Sequence, residues 1–154
     1  MTRINIAFLI SCVLCGITSS FAFVFEDCGS QLAKVGEISI SSCTLSDEKC
    51  FLTRGNDINV IAKFTPNTDI SSVMSYAYGV ILDVPVPFPM GDPDLCKSSD
   101  HGFKCPLNKD QEYEYKATFN IEKKTPAVSI DVKFEFKNDK DEIISCTKFP
   151  AKIV

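Results

Sequence analysis

The side chains of this 154-residue chain best equipped for covalent chemistry are eight cysteines and a single histidine. Thiols form disulfides, ligate metals or act as nucleophiles, and the compartment to which the chain is delivered decides among these. Arg3 in a short polar head, an apolar run from Ile6 to Ile17 and the small residues Ser20 and Ala22 have the layout of a secretory signal peptide. Residues 1–22 are therefore expected to be a leader and residues 23–154 one domain. The run is too short to span a bilayer, and no later stretch approaches ~20 apolar residues. Cleavage removes Cys12 and Cys15, so their C-x-x-C spacing is not read as a redox motif. Cys28, Cys43, Cys50, Cys96, Cys105 and Cys146 remain, and an even set in a secreted chain predicts disulfides. Six cysteines allow 15 pairings. The spacing favours Cys43 with Cys50 and Cys96 with Cys105, each closing a short loop, and leaves Cys28 with Cys146 to join the two ends.

The histidine gives catalysis little support. His101 follows Ser98, Ser99 and Asp100 in the polar loop between Cys96 and Cys105, and neighbours on one loop are not a triad held from separate elements. With the cysteines committed to disulfides, one histidine is also too few for a metal site. No enzyme, cofactor or metal is expected. Losing Arg3 takes the net charge from −4 to −5, and no basic patch is dense enough to propose nucleic acid. The sequence contains no N-x-Ser/Thr acceptor for an N-glycan.

The remaining chemistry is apolar. Val84 to Pro89 reads V-P-V-P-F-P, and each proline fixes φ and removes a backbone donor. The segment must be extended and can lie only at an edge. A rim of valine and phenylalanine, where charge would be ordinary, implies that something apolar passes or rests there.

The elements that must position these residues have period two. Ile58, Val60, Ala62 and Phe64 alternate with Asn59, Ile61 and Lys63. Tyr113, Tyr115, Ala117, Phe119 and Ile121 do the same, as do Val128, Ile130, Val132, Phe134 and Phe136. These are half-buried strands with one wet face. Less regular strands are expected over Val35–Ile40, Val73–Leu82 and Ile143–Phe149, with turns at Arg54–Asp57, Thr65–Asn67, Lys123–Pro126 and Lys137–Lys140. No helical stripe occurs, so the fold class is all-β, an immunoglobulin-like β-sandwich. Inward faces carrying Ile40, Leu52, Ile58, Val60, Phe119, Ile121, Val132 and Phe134 fit either a closed core or the wall of an apolar pocket. Tyr113 and Tyr115 read as core residues with satisfied hydroxyls.

Taken together, Phe25-Glu26-Asp27-Cys28-Gly29-Ser30, V-P-V-P-F-P, Pro93-Asp94-Leu95-Cys96-Lys97-Ser98, Cys105-Pro106-Leu107 and the ending from Cys146 to Pro150 with Ile153-Val154 resemble the ML lipid-recognition domain family. Within it they are similar to the Niemann-Pick type C2 branch of soluble sterol carriers. The resemblance covers essentially the whole chain after the leader. It implies two splayed antiparallel sheets with an apolar ligand tunnel between them, and the three disulfides that spacing favours. It also implies that Phe88 guards the mouth, joined by the positions matching Ile121 and Thr125; Thr125 stands where the branch has an aromatic. Val80, Ile81 and Leu82 match an apolar knob used for docking to membranes or to a membrane-bound receptor. Asp83 interrupts that knob, and an exposed carboxylate weakens contact with an anionic bilayer.

A wall without formal charge admits a mostly hydrocarbon ligand. Burying a few hundred Å² of it at ~25 cal/mol per Å² gives on the order of 10 kcal/mol gross, before translational freedom is subtracted. The expected function is a secreted, monomeric carrier of one sterol, with a fatty acid or related hydrophobic semiochemical as the alternative ligand. From another class stands an immunoglobulin-like co-receptor or adhesion module, against which the chain has no tryptophan for an immunoglobulin core. Without a glycan acceptor, extracellular fluid is the expected destination and the lysosomal lumen the alternative.

Overall fold

The computed structural model describes residues 25–44 and 47–154; the expected leader at 1–22, with Cys12 and Cys15, lies outside the described residues. The strands in chain order are β1 Glu26–Asp27, β2 Ala33–Ile40, β3 Cys50–Leu52, β4 Asp57–Pro66, β5 Met74–Ile81, β6 Val84–Pro87, β7 Tyr113–Asn120, β8 Ser129–Lys137 and β9 Ile143–Ile153. They form a three-stranded sheet ordered β2-β4-β7 and a six-stranded sheet ordered β1-β9-β8-β5-β6, with β3 added alongside β9. Pairing is antiparallel throughout except between β3 and β9, which run parallel. The architecture is the expected β-sandwich of two sheets.

Register turns the alternation of the sequence into two apolar faces. Ile58 pairs with Phe119, Val60 with Ala117, Ala62 with Tyr115 and Phe64 with Tyr113, so the inward sets of β4 and β7 coincide. In the large sheet Phe134 pairs with Ala77 and Thr147, and Val132 with Gly79 and Phe149. The less regular pattern of β2 has a cause in a bulge between Val35 and Ile38. One extra residue there shifts the pleat, so Val35 and Ile38, which an unbroken strand would send to opposite faces, both line the space between the sheets.

The proline segment is an edge strand. β6 pairs only with β5, at the rim of the large sheet. The Phe88 N–H donates to the Ala77 carbonyl at 2.9 Å, so by alternation the nitrogens of Val84 and Val86 face β5 while those of Pro85, Pro87 and Pro89 face outward. The turn expected at Thr65–Asn67 starts later than the sequence implies, because β4 continues through Thr65 and Pro66 against β2. Pro66 is tolerated because β7 has ended: its last pair with β4 is Tyr113 with Phe64.

Three disulfides join Cys28 to Cys146, Cys43 to Cys50 and Cys96 to Cys105, with Cα separations of 5.0, 4.6 and 5.3 Å. The first spans 118 positions and closes nearly the whole domain, which the chain-entropy model values at roughly 4–5 kcal/mol. The second ties β3 to the loop after β2, and the third cinches the long β6–β7 connection.

That connection and the one between β4 and β5 supply much of the packing at one end of the sandwich. Ile70, Val73, Leu95, Phe103 and Leu107, all outside the strands, are buried with Ala33, Phe64, Tyr115, Phe136 and Ile144 from the sheets. The second cluster, Ile40, Cys50, Leu52, Ile58, Ile130, Phe149, Ala151 and Ile153, comes from strands alone.

Candidate functional site

Along one side of the sandwich the sheets meet, where β2 approaches β9. On the other side β7 and the β5–β6 edge stand apart, and a cavity of about 1560 Å³ opens between them. Its lining takes in the inward faces of β2, β4 and β7 on one side and of β5, β8 and β9 on the other, and extends to outward positions of β4 and β7 such as Asn59, Lys63, Lys116 and Thr118.

Every residue that the sequence nominates for a lipid pocket lies on this wall: Ile40, Leu52, Ile58, Val60, Phe88, Phe119, Ile121, Thr125, Val132 and Phe134. They converge because register brings alternate positions of β2, β4 and β7 to the inward face of one sheet and those of β3 and β8 to the inward face of the other, while Phe88, Ile121 and Thr125 lean in from the loops. Phe88 owes its position to Gly79, where a Cβ would stand 3.2 Å from the ring and 3.3 Å from Ile130. A larger residue at 79 would push the ring or Ile130 back by a few tenths of an ångström. Thr125 is held in a turn in which its N–H donates to the Glu122 carbonyl at 3.0 Å.

The charged residues of the lining lie on the outward faces of β4 and β7 and in the loops. Lys63 is paired with Glu37 at 3.0 Å, Lys116 with Glu114 at 2.7 Å and Lys124 with Glu122 at 2.9 Å. Asp92 bonds Lys97 at 2.8 Å, which holds its carboxyl below the usual carboxylate range.

The two tyrosines read alike in the sequence and are separated by the structure. Tyr113 has a satisfied hydroxyl, which accepts the Asn108 N–H at 2.8 Å. Tyr115 does not: it lines the cavity, is 1% exposed, and its hydroxyl has no hydrogen-bond partner among the described residues. Burial pushes its phenol well above the ordinary value, so it keeps its proton. Sequence reasoning also passed over Ser75, Ser145 and Thr147, buried polar residues on the cavity wall. The signal was present in Ile143–Phe149, where positions 145, 147 and 149 share a face and two of them carry hydroxyls.

The proposed docking residues lie at the β5–β6 hairpin. Val80 is half-buried, whereas Ile81 and Leu82 are exposed together with Val84 and Val86. Leu82 and Asp83 form the two-residue turn, with φ of 49° and 64°. Aspartate tolerates the left-handed region; leucine rarely occupies it.

This is a two-sheet sandwich opened along one edge around an apolar cavity, and the comparisons give it a family. The ML domain family model matches residues 22–153, and the chain belongs to that family. It is similar to the ecdysteroid-regulated 16 kDa protein of Manduca sexta, 37% identical over 89% of this chain and 92% of the relative. It is also similar to NPC intracellular cholesterol transporter 2 homolog a of Drosophila melanogaster, 35% identical over 86% and 88%. Among solved structures, a Niemann-Pick type C2 protein from the Japanese carpenter ant superposes with a TM-score of 0.83 at 57% identity, covering 86% of this chain and all of that one.

Proposed function

We propose that this chain is a secreted, non-enzymatic carrier that takes one sterol into the cavity between its sheets and transfers it. The observation that carries the reading is the cavity itself: strand faces that would ordinarily close on each other leave an apolar space, with Phe88 at its rim. Family membership and the cholesterol-transporter name of the Drosophila relative support a sterol. The volume supports a second ligand class, since it leaves room for a long acyl chain, and Thr125 in place of an aromatic leaves the mouth less selective for a flat ring. An adhesion or co-receptor role has no comparable observation in its favour.

Transfer needs a surface to dock on, and we assign it to the tip formed by Ile81 and Leu82, with Val84 and Val86 beside it, against a lipid bilayer. Leu82 is 92% exposed and held in the left-handed region, two unfavourable features that a buried contact would repay. Three disulfides fit an oxidising destination, extracellular fluid first and the lysosomal lumen second.

The deciding experiment is displacement of a fluorescent sterol and a fluorescent fatty acid from delipidated protein. Saturable uptake of either at one molecule per chain is expected. A protein that takes up neither is not a carrier.

A further inference from the structure

The buried cluster at the filled end of the sandwich divides into layers. Phe64, Leu95, Tyr115 and Phe136 line the cavity, whereas Ala33, Ile70, Val73, Phe103, Leu107 and Ile144, buried in the same cluster, do not. The first layer is a floor on which the cavity stops. The second is what that floor rests on.

Phe64 joins the layers. Its ring meets Phe136, which shares the cavity lining, at a centroid distance of 5.4 Å. It also meets Phe103 and Tyr113, neither of which lines the cavity, at 5.8 Å and 6.1 Å. Phe103 stands edge-on to Phe64 at 82° and lies 6.3 Å from Tyr113, so it backs the floor ring from the side away from the cavity. Phe64, Tyr113 and Phe136 come from β4, β7 and β8, but Phe103 comes from the connection between β6 and β7.

A loop side chain can hold a floor only if the loop is fixed, and this one is tied down along its length. The Cys96–Cys105 bond closes it. The His101 carbonyl accepts the Lys116 N–H of β7 at 2.9 Å. Gly102, at a φ of 95°, lies so near β7 that a Cβ there would collide with the Glu114 carbonyl oxygen. Phe103 follows directly and is 5% exposed. Interiors are close-packed, so Phe64 keeps its place while Phe103 fills the space behind it, and a smaller side chain there would let the ring relax into the void.

We propose that Phe103 is a positioning residue for ligand size: by backing Phe64 it fixes the depth of the cavity and with it the longest hydrocarbon chain the protein accepts. This rests on the carrier reading and adds to it a selectivity set by a loop residue outside the cavity. Each methylene that finds room adds affinity, and the gain ends where the chain meets the floor.

The test is a series of saturated fatty acids, lengthened from decanoate in single methylene steps, competing for a bound fluorescent fatty acid. It compares wild type with Phe103→Leu, Phe103→Ala and Leu107→Ala, the last removing a buried side chain of the same cluster that also lies outside the lining. In wild type, affinity should rise about fourfold per methylene and then level off. The first acid beyond that ceiling should bind about threefold better to Phe103→Leu and about tenfold better to Phe103→Ala, with shorter acids bound as in wild type. Leu107→Ala should lower the thermal midpoint and leave the ceiling in place. A ceiling unmoved by the Phe103 variants, or moved equally by Leu107→Ala, would overturn the assignment. So would variants that weaken every acid alike, or a wild type whose affinity rises through the whole series. Phe103→Leu decides the matter should Phe103→Ala not fold. Uptake of a fluorescent sterol with no fatty acid bound at any length would overturn the ceiling and leave the carrier intact, whereas uptake of neither removes both readings together.

Discussion

The two ends of this sandwich are built from the same kind of strand and come to opposite results. At one end Phe64 meets Phe103 at 5.8 Å, Phe136 at 5.4 Å and Tyr113 at 6.1 Å, and the space between the sheets is filled. At the other, Ile40, Ile58, Val60, Val132 and Phe149 face one another across a cavity. The difference is in the connections. Ile70, Val73, Leu95, Phe103 and Leu107 enter the filled end from loops as buried apolar side chains, whereas the loop residues Phe88, Ile121 and Thr125 at the hollow one stay partly exposed. Strand alternation decides which side chains face inward, and loops decide whether what they face is a core or a ligand site.

If so, Leu107→Ala, which removes a fully buried loop side chain, should cost about 2–5 kcal/mol in urea unfolding. Val60→Ala on the cavity wall should cost less than ~1.5 kcal/mol, since it has fewer neighbours to lose. Equal costs would erase the distinction between the ends. Replacing Cys96 and Cys105 together by serine should cost about 2–3 kcal/mol by releasing the loop that delivers Leu95 and Phe103.

Substitutions at the hollow end should instead register in binding. Val132→Asp places a charge against hydrocarbon and should weaken lipid uptake more than about tenfold. Phe88→Ala should weaken it about threefold to tenfold with the thermal midpoint nearly unchanged. Binding unaffected by Phe88→Ala would place the mouth elsewhere.

The smallest effect belongs to neither end. Asp27 accepts N–H bonds from Ser30 and Gly29 at 2.8 and 2.9 Å, and these hold its carboxyl below the ordinary value. A depressed folded pKa contributes stability that is present above the unfolded value of ~3.9 and is lost as pH falls through the folded one. Asp27→Asn should therefore destabilise by less than about 1 kcal/mol at neutral pH, because the group is exposed and screened by solvent. Its difference from wild type should shrink as pH falls below ~4, and a deficit that persists at low pH would dissociate the turn from the carboxylate's charge.

What the sequence makes legible follows from length and period. β4, β7 and β8 announce themselves by sustained alternation. β1 and β3 are two and three residues long and carry no period to read; β3 is tied by the Cys43–Cys50 bond to the loop after β2 and pairs with β9. The inward residues of the cavity are legible for the same reason as the strands. The cavity is not, because an empty space and a full one have the same lining, and the loop residues that fill one end have no periodicity. Tyr115 escaped because its place in the alternation matches that of Tyr113, and only a neighbour in space, the Asn108 N–H, tells them apart.

Two sheets held apart leave their edges bare, and a bare edge is where one chain can zip onto the next. β6 answers this with the nitrogens of Pro85, Pro87 and Pro89, which face outward and have no hydrogen to offer an incoming strand. The residues that stiffen the rim for Phe88 thus also deny an added strand the backbone donors it would need at this edge.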